Sequence, residues 1–181
     1  MFAAFKIVKQ LHEMLWYLAE ARERAYAPEA AHEARELESA IAAVTHGSLA
    51  ELFSVDVGAL HGAVRTVLMD VSEEVRASYF AEAGHLDPSF TPAADLAGAD
   101  LRARRLCGAD LRGACLIAAD LRESDLAAVD LLGADLRDAR LEGADLSAAL
   151  YITQPQINAA RGNSKTRLPA SVSAPSHWFD N

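Results

Sequence analysis

Cysteine is nearly absent from this chain, and so are the features that would place it in a membrane or an oxidising compartment. Only Cys107 and Cys115 occur among 181 residues, too few for a disulfide framework, which fits a reducing cytoplasm. No apolar run approaches the roughly 20 residues of a membrane-spanning helix, and no signal-peptide pattern follows Met1. The sequence therefore predicts a cytoplasmic protein.

Positive charge is also scarce. Lysine and arginine number 17 against 26 aspartates and glutamates, and the net charge is −9. Counted along the chain, residues 1–90 carry −7, residues 91–150 carry −4 and residues 151–181 carry +2. An acidic protein is repelled by nucleic acid and by anionic lipid, so we expect neither direct nucleic-acid binding nor membrane binding.

The motifs of common active sites are missing as well. There is no glycine-rich phosphate loop and no Gly-x-Ser-x-Gly nucleophile elbow. Glu29 with His32, and Glu82 with His85, have the spacing of a di-iron ligand pair, but such a centre also needs two further inward glutamates. Glu29 and His32 flank an apolar stripe on its polar side, which predicts that they are solvated. We therefore expect no enzyme, no cofactor and no metal.

What the chain does contain is a repeat of five residues. A leucine recurs at every fifth position without a miss, and alanine stands two places before it in eight of eleven units, aspartate one place before it in eight. The leucines, which we predict to form a stacked core, are Leu96, Leu101, Leu106, Leu111, Leu116, Leu121, Leu126, Leu131, Leu136, Leu141 and Leu146.

A period of five suits neither an ordinary helix nor a single strand. Five helical steps rotate the side chain by roughly 140°, so the leucines would encircle a helix instead of forming a stripe. In a strand, an odd step would send successive leucines to opposite faces. Each unit must therefore be a short extended piece followed by a bend, and glycine two places after the leucine supplies the conformational freedom in five units.

The Ala-Asp-Leu units, such as those centred on Leu101, Leu111, Leu121, Leu136 and Leu146, resemble the pentapeptide-repeat proteins. The resemblance implies a right-handed quadrilateral β-helix with four units per coil. The predicted fold class is α+β, with an N-terminal helical domain, then this β-helix of about three coils, then a C-terminal capping helix. The departures from the motif are Arg104, Arg105, Cys115, Ser124, Val129 and Arg140. Arg104 stands where the family buries its side chain, so we expect a bulge or an outward swing there.

Coils of four units place residues twenty apart above one another. One face would then carry two mixed columns, and we predict it as the interaction face: Asp100, Arg102, Asp120, Arg122, Arg140 and Glu142. A second face would stack Arg112, Leu132 and Ile152 beside Asp110, Asp130 and Leu150. That face turns apolar toward its C-terminal end, which indicates either a contact surface or a surface covered by the chain's own tail.

The residues before the repeats predict helices. Apolar residues at helical spacing indicate three long helices, the second starting near Pro28 and the third ending at Gly84, with a capping box at Ser48 and Glu51 between them. The apolar stripes around Ile41 and around Val67 are equally compatible with an intrachain core and with a dimer interface. We expect residues 1–86 to form a helical bundle or dimerisation domain and residues 87–93 to form a linker.

The end of the chain predicts a cap. The repeat domain is expected over residues 94–152, with Tyr151 at the twelfth central position. A short helix from Gln156 to Arg161, closed by Gly162, would cap the solenoid within residues 153–168, because a stacked coil leaves an open edge. Residues 169–181 read as an extended tail, although Trp178 could dock.

Two functions remain open at this stage. The first is a non-catalytic protein-interaction or scaffold module with a protein partner, dimeric through its helices. The second is implied by the resemblance, because some family members mimic DNA and bind DNA gyrase, so this chain would modulate a topoisomerase or protect it against toxins or antibiotics. Three coils span about 15 Å at strand spacing, well short of the roughly 34 Å of one duplex turn, and seven arginines interrupt the aspartates. The interaction module is the favoured hypothesis.

Overall fold

The computed structural model describes residues 2–83 and 90–179, without the side chains of residues 80–83. The helices are α1 (Phe2–Arg24), α2 (Pro28–His46), α3 (Leu49–Ser54), α4 (Val57–Ala83) and α5 (Gln154–Ala159), followed by a 3-10 turn at Ser176–Trp178. Contacts divide the chain into two units, Met1–Val75 and Arg76–Asn181. The division falls inside α4, whereas the sequence suggested a boundary near residue 86.

The helical unit is built around the apolar faces of α1, α2 and α4. Leu11, Met14, Leu18 and Ala21 of α1 are buried at spacings of three and four, as a helix with one apolar stripe requires. Helix α1 packs against α2 and α3. The stripes whose role the sequence left open lie in the core of a single chain, since Ile41 of α2 is fully buried. Helix α4 buries Val64, Val67, Leu68, Val71 and Val75.

Helix α3 begins at the predicted capping box. The Ser48 amide donates to Glu51 Oε2 at 2.6 Å, and the Glu51 amide donates to Ser48 Oγ at 3.3 Å. These bonds satisfy amides that have no partner within the first helical turn. The chain then turns into α4, where Asp56 Oδ1 accepts from the Ala59 amide at 3.0 Å.

The repeat unit is a coil whose successive turns lie twenty residues apart. Parallel bridges join Asp95 to Cys115, Asp100 to Asp120, and so on around four faces. The Leu101 amide donates to the Asp120 carbonyl, and the Asp120 amide donates to the Ala99 carbonyl, both at 2.9 Å. Each unit contributes a single bridged residue, so the described residues form a solenoid of isolated bridges and no extended strand. The handedness of the coil stays a prediction.

Leucines and small residues fill the interior of this solenoid. The leucines at positions 106, 111, 116, 126, 141 and 146 are completely buried, and Leu96 in the first unit is partly buried. The alanines two places before them are buried beside them, for example Ala109 and Ala119. A methyl group at that position lets the backbone close around the leucines of adjacent faces.

At Arg104, where the motif has alanine, the coil keeps its register. The Arg104 amide donates to the Leu101 carbonyl at 3.3 Å, as the Ala99 amide does to the Leu96 carbonyl at 3.1 Å, and the neighbouring Arg105 still bridges Asp125. The Arg104 side chain is exposed. Of the two predicted solutions, the structure therefore has the outward swing, because an unpaired guanidinium in a leucine interior would lose its hydration.

The repeat slips by one residue at its end, which corrects the predicted position of Tyr151. The Ala128 amide bonds to the Ala148 carbonyl, one residue further along than the preceding pattern requires, but the Leu131 amide again bonds to the expected Leu150 carbonyl. The slip therefore lies between Leu150 and Ile152. Tyr151 has φ of 58°, and Ile152, not Tyr151, belongs to the leucine core. Ile152 is therefore an interior residue and does not extend the outer column of Arg112 and Leu132. Tyr151 is also completely buried, but it lies outside the cluster of core leucines.

Helix α5 and the residues after it close the C-terminal end of the solenoid. Gln156 Nε2 donates to the carbonyls of Leu131 and Ala134, both at 2.9 Å, and its Oε1 accepts from the Thr153 amide at 2.7 Å. Helix α5 ends at Ala159 instead of Arg161. Beyond it, Arg161 bridges Arg140 and Arg167 bridges Asp145, so the chain adds part of a further turn.

The residues expected to form an extended tail contribute to this cap. Val172 and Trp178 belong to the buried core of the repeat unit. Trp178 Nε1 donates to the Ala160 carbonyl at 2.9 Å, and the indole lies so close to Gly162 that a Cβ there would stand 2.5 Å from a ring carbon. Gly162 therefore makes room for the tryptophan and does not serve as the stop signal of α5.

Candidate interaction face

The repeat places an aspartate and an arginine on the outside of a unit in a fixed geometry. In the motif Asp-Leu-Arg, the leucine points inward and its two neighbours point outward together. Asp100 Oδ1 accepts from Arg102 Nε at 2.8 Å, and Asp100 Oδ2 accepts from Arg102 Nη2 at 2.6 Å. The backbone amide of Arg102 also donates to Asp100 Oδ1 at 3.3 Å. This two-pronged pairing holds the guanidinium flat against the solenoid.

The predicted interaction face repeats this pairing up one side of the coil, and we call it the charged face. It consists of Asp100, Arg102, Asp120, Arg122, Arg140 and Glu142. Asp120 is its centre, because its Oδ2 lies 2.6 Å from Arg122 Nη2 and 3.7 Å from both Arg102 Nε and Arg140 Nη1. The structure brings all six predicted residues together, with three positive and three negative side chains.

These pairs stay ionised well into acid. The side-chain hydrogen bond from Arg102 lowers the pKa of Asp100 to about 2 from the usual 3.8. The side-chain hydrogen bond from Arg122 likewise lowers the pKa of Asp120, against the opposing effect of desolvation. The charged face is thus a preorganised pattern of alternating charge at neutral pH.

A second face uses the same motif but is not exposed, and we call it the covered face. Its outward residues are Asp110, Arg112, Asp130, Leu132 and Leu150. The Asp130 side chain has no exposed surface and that of Arg112 has 18%, whereas that of Arg102 on the charged face has 55%. Leu150 is completely buried. The apolar end of this face is therefore not available as a contact surface.

Arg76 is a contact of the covered face that the sequence did not reveal. It lies in α4 but belongs to the repeat unit. Its Nε donates to the Gly108 carbonyl at 2.8 Å and its Nη1 to Asp110 Oδ2 at 3.2 Å. Burial opposes ionisation of Asp110, but the hydrogen bond from Arg112 and the charge of Arg76 outweigh it and lower the pKa. Nothing local to Arg76 distinguishes it in the sequence from a solvated helix residue.

The two cysteines lie on opposite faces of the coil and are both free. Cys107 is buried, and burial raises the pKa of its thiol, with a further rise from the hydrogen bond to Asp125. A raised pKa keeps the thiol protonated and weakens it as a nucleophile. Cys107 is therefore not an activated thiol.

The helical residues considered as metal ligands are not gathered. Glu29 and His32 are both exposed, and within residues 2–83 and 90–179 no three histidine, cysteine or acidic side chains lie where they could hold one ion. His85 and the side chain of Glu82 lie outside the described residues. Nor does any helix in those two ranges have the length and apolar character for crossing a bilayer.

Stacked five-residue units with a leucine interior and a paired-charge exterior define a β-helical repeat solenoid. The pattern of the pentapeptide repeats matches eight copies here, over residues 94–126 and 114–150. Residues 94–150 are therefore a pentapeptide-repeat region, which confirms the resemblance seen in the Ala-Asp-Leu units.

Relatives of this chain include a protein of a bacillus and two cyanobacterial structures. It is 52% identical over 178 residues to "Uncharacterized protein YybG" of Bacillus subtilis, an alignment covering 98% of this chain and 63% of that protein. The chain thus spans less than two thirds of the length of this relative. The pentapeptide repeat protein Rfr23 of Cyanothece is 26% identical, with 45% of this chain and 50% of that chain covered and a TM-score of 0.27. HetL of Nostoc, a pentapeptide repeat protein involved in heterocyst differentiation regulation, is 29% identical, with 50% and 44% covered and a TM-score of 0.27.

Proposed function

We propose that this protein is a non-catalytic interaction module in the cytoplasm, and that its charged face binds a protein partner. One observation carries the proposal. The aspartate–arginine motif occurs on three faces: it is buried and contacted by Arg76 on the covered face, occurs once around Asp135, and is open to solvent on two successive coils only on the charged face. An ordered, exposed surface of fixed charges is suited to recognising a complementary protein surface.

The charge pattern favours a protein partner over mimicry of DNA. A DNA mimic must present a continuous line of negative charge to a protein that binds phosphates. Each carboxylate of the charged face instead lies beside an arginine, within 2.6 to 3.7 Å. Alternating charges determine the register and the rate of an encounter more than its affinity, which suits a specific partner.

We also propose that the protein is a homodimer through its helical unit. Its core stripes are satisfied within one chain, so the support comes from another surface. Phe2 and Phe5 at the start of α1, and Leu49 and Phe53 of α3, each leave more than half of their surface exposed. Helices α1 and α3 contact each other, and exposed apolar side chains on neighbouring helices favour a partner surface.

The charged face is tested by reversing its arginines. We expect Arg102→Glu together with Arg122→Glu to weaken capture of the partner by at least about tenfold, because two attractive contacts become repulsive. The full chain, tagged and immobilised, would be used to isolate partners from an extract of the source cells. The affinity of the purified partner would then be measured by calorimetry against both forms.

The matched control is Arg137→Glu. Arg137 pairs with Asp135 at 2.6 Å in the same Asp-Leu-Arg motif, but on a different face, and is well exposed. Arg137→Glu also replaces a positive charge with a negative one, and it also breaks an aspartate–arginine pair. Equal loss of binding with Arg137→Glu, or none with the double variant, would remove the charged face as the binding surface.

A further inference from the structure

Beside the charged face, toward the C-terminal cap, lies a polar groove of about 300 Å³. It is formed where a corner of the coil meets the residues after α5. Its lining residues are Arg102, Arg122, Glu123, Glu142, Gly143, Asn163 and Lys165. The part near Gly143 is held in place by Asn163, whose Oδ1 accepts from the amides of Gly143 at 3.2 Å and Lys165 at 2.9 Å.

Glu142 in this groove is a carboxylate without a hydrogen-bond donor. Its Oε2 is buried and accepts from none of the described residues. Its Oε1 lies 3.7 Å from Arg140 Nε, which is an ion pair too long for a hydrogen bond. The neighbouring Asp100 and Asp120 each accept hydrogen bonds from an arginine of their own. A buried acceptor of this kind favours a ligand that brings a donor.

The charges around the groove favour a cationic donor. Arg102 and Arg122 are already neutralised by Asp100 and Asp120. Glu123 also lines the groove and makes no ion pair with the described residues, in contrast to these arginines. The opposing charges are Lys165 in the groove and Arg140, which lies beside Glu142. The net charge is −9 for the whole protein and −4 for the repeats. This negative charge attracts a cation toward the surface at long range.

The covered face shows how this solenoid holds an incoming guanidinium. Arg76 lies across a corner of the coil, where it donates to the carbonyl of the corner glycine Gly108 and to the carboxylate of Asp110. Gly108 has φ of 74° and stands two places after a core leucine. Gly143 has the same place in its unit and φ of 75°, and it lines the groove beside Glu142. The groove thus combines a corner glycine and a carboxylate, as the Arg76 site does.

We propose that the groove receives a basic side chain, an arginine in preference to a lysine, from the protein partner of the charged face. The guanidinium donates to the Glu142 carboxylate, as that of Arg76 donates to Asp110. This inference rests on the proposed function, and it adds the chemistry of the partner: a cationic residue beside the segment that pairs with the charged face.

The test is a titration of the full ¹⁵N-labelled chain with N-acetylarginine amide, followed by NMR. We expect saturable shifts of the Gly143 and Asn163 amides, and an affinity at least about tenfold lower for Glu142→Gln, which keeps the shape but removes the charge. N-acetylcitrulline amide, the neutral isostere, is expected to bind as weakly to the wild type. The matched control is Glu73→Gln, the same change at an exposed glutamate of α4, which should leave the affinity unchanged.

Several outcomes would overturn the inference. Among them are absent shifts at Gly143 and Asn163, equal binding of the citrulline compound, and equal loss with Glu73→Gln. Preferential binding of N-acetylaspartate amide would identify an anion site around Lys165 instead. If Glu142→Gln leaves the affinity for the partner intact while the reversal of Arg102 and Arg122 abolishes it, the groove is not a binding site for the partner. The proposed role of the charged face is then retained. If the reversal has no effect, the proposed function itself fails.

Discussion

At the scale of single residues, the corners of the coil show that glycine is useful but not required. The corner residues from position 98 to position 143 adopt a left-handed backbone, including Gly98 with φ of 65° and Gly133 with φ of 68°. Ala118 with φ of 55°, Glu123 with 58° and Asp138 with 56° adopt it as well. An L-residue in this region costs about 1–2 kcal/mol, so the stacked bridges and the leucine core impose the bend even where the side chain opposes it.

This strain predicts opposite effects for opposite substitutions. Ala118→Gly should raise the free energy of unfolding by up to about 1 kcal/mol, because relief of the left-handed strain exceeds the added freedom of glycine in the unfolded chain. Gly133→Ala should lower it by a similar amount, through backbone strain alone, since no atom lies within 4 Å of the added Cβ. Urea denaturation followed by circular dichroism measures both.

Gly62→Ala is the control for these corner substitutions. Gly62 lies in α4, and no atom lies within 4 Å of the place that a Cβ would occupy. Because alanine is favoured over glycine inside a helix, Gly62→Ala should stabilise the protein by about 0.5–1 kcal/mol. A destabilised Ala118→Gly variant would show that the corner backbone is not strained.

At the scale of secondary-structure elements, the buried charges of the covered face join part of α4 to the coil. Asp130 is completely buried, and Arg112 Nε lies 3.7 Å from its Oδ2. Arg76 adds a second guanidinium to this group and is only 11% exposed. Removing one member of a buried ion pair leaves its partner uncompensated, which costs more than the pair contributes as a whole.

We therefore expect Arg76→Met to lower the free energy of unfolding at pH 7 by about 3 kcal/mol. The cost depends on pH with a definite sign. The pKa of Asp110 is lowered in the folded protein, so its contribution is complete above the unfolded pKa of about 4 and is lost as pH falls through the folded value. Urea midpoints at pH 7, 5 and 3 should show the gap between wild type and variant narrowing at pH 3.

Arg137→Met controls for the loss of an arginine that pairs at the surface. Its side chain is 67% exposed, so the expected cost is much smaller than that of Arg76→Met. A gap for Arg76→Met that is as small as this control, or that stays constant from pH 7 to pH 3, would contradict the role given to Arg76.

At the scale of the whole molecule, the proposed dimer predicts a definite mass. Light scattering of the full chain at tens of micromolar should give twice 19.4 kDa. Phe5→Ser combined with Phe53→Ser should give the monomer, because both exposed rings belong to the proposed contact. Phe179→Ser removes an equally exposed ring of the repeat unit and should leave the dimer intact. A wild-type monomer under these conditions would refute the proposal.

Much of this protein could be predicted from local pattern. A leucine at every fifth position admits one way of burying all leucines together, so the stacked coil and the six residues of the charged face could be named by counting. The helices likewise follow from apolar spacing and from the box at Ser48 and Glu51. These features depend on residues that are close in the sequence or separated by a fixed period. Residues separated by a fixed period stack on one another in a repeat fold, so their contacts can be predicted.

Only the tertiary structure decided the rest, because those features depend on non-repeating contacts between distant residues. Arg76 meets Gly108 and Asp110 more than thirty positions away, and no period links them. Ile152 takes the core place expected for Tyr151 because the last coil ends against a cap, and Trp178 reaches Ala160 and Gly162 across that cap. The sequence by itself determined the repeating interior and the alternating outer charges, whereas the folded chain decided which face is covered and which stays free.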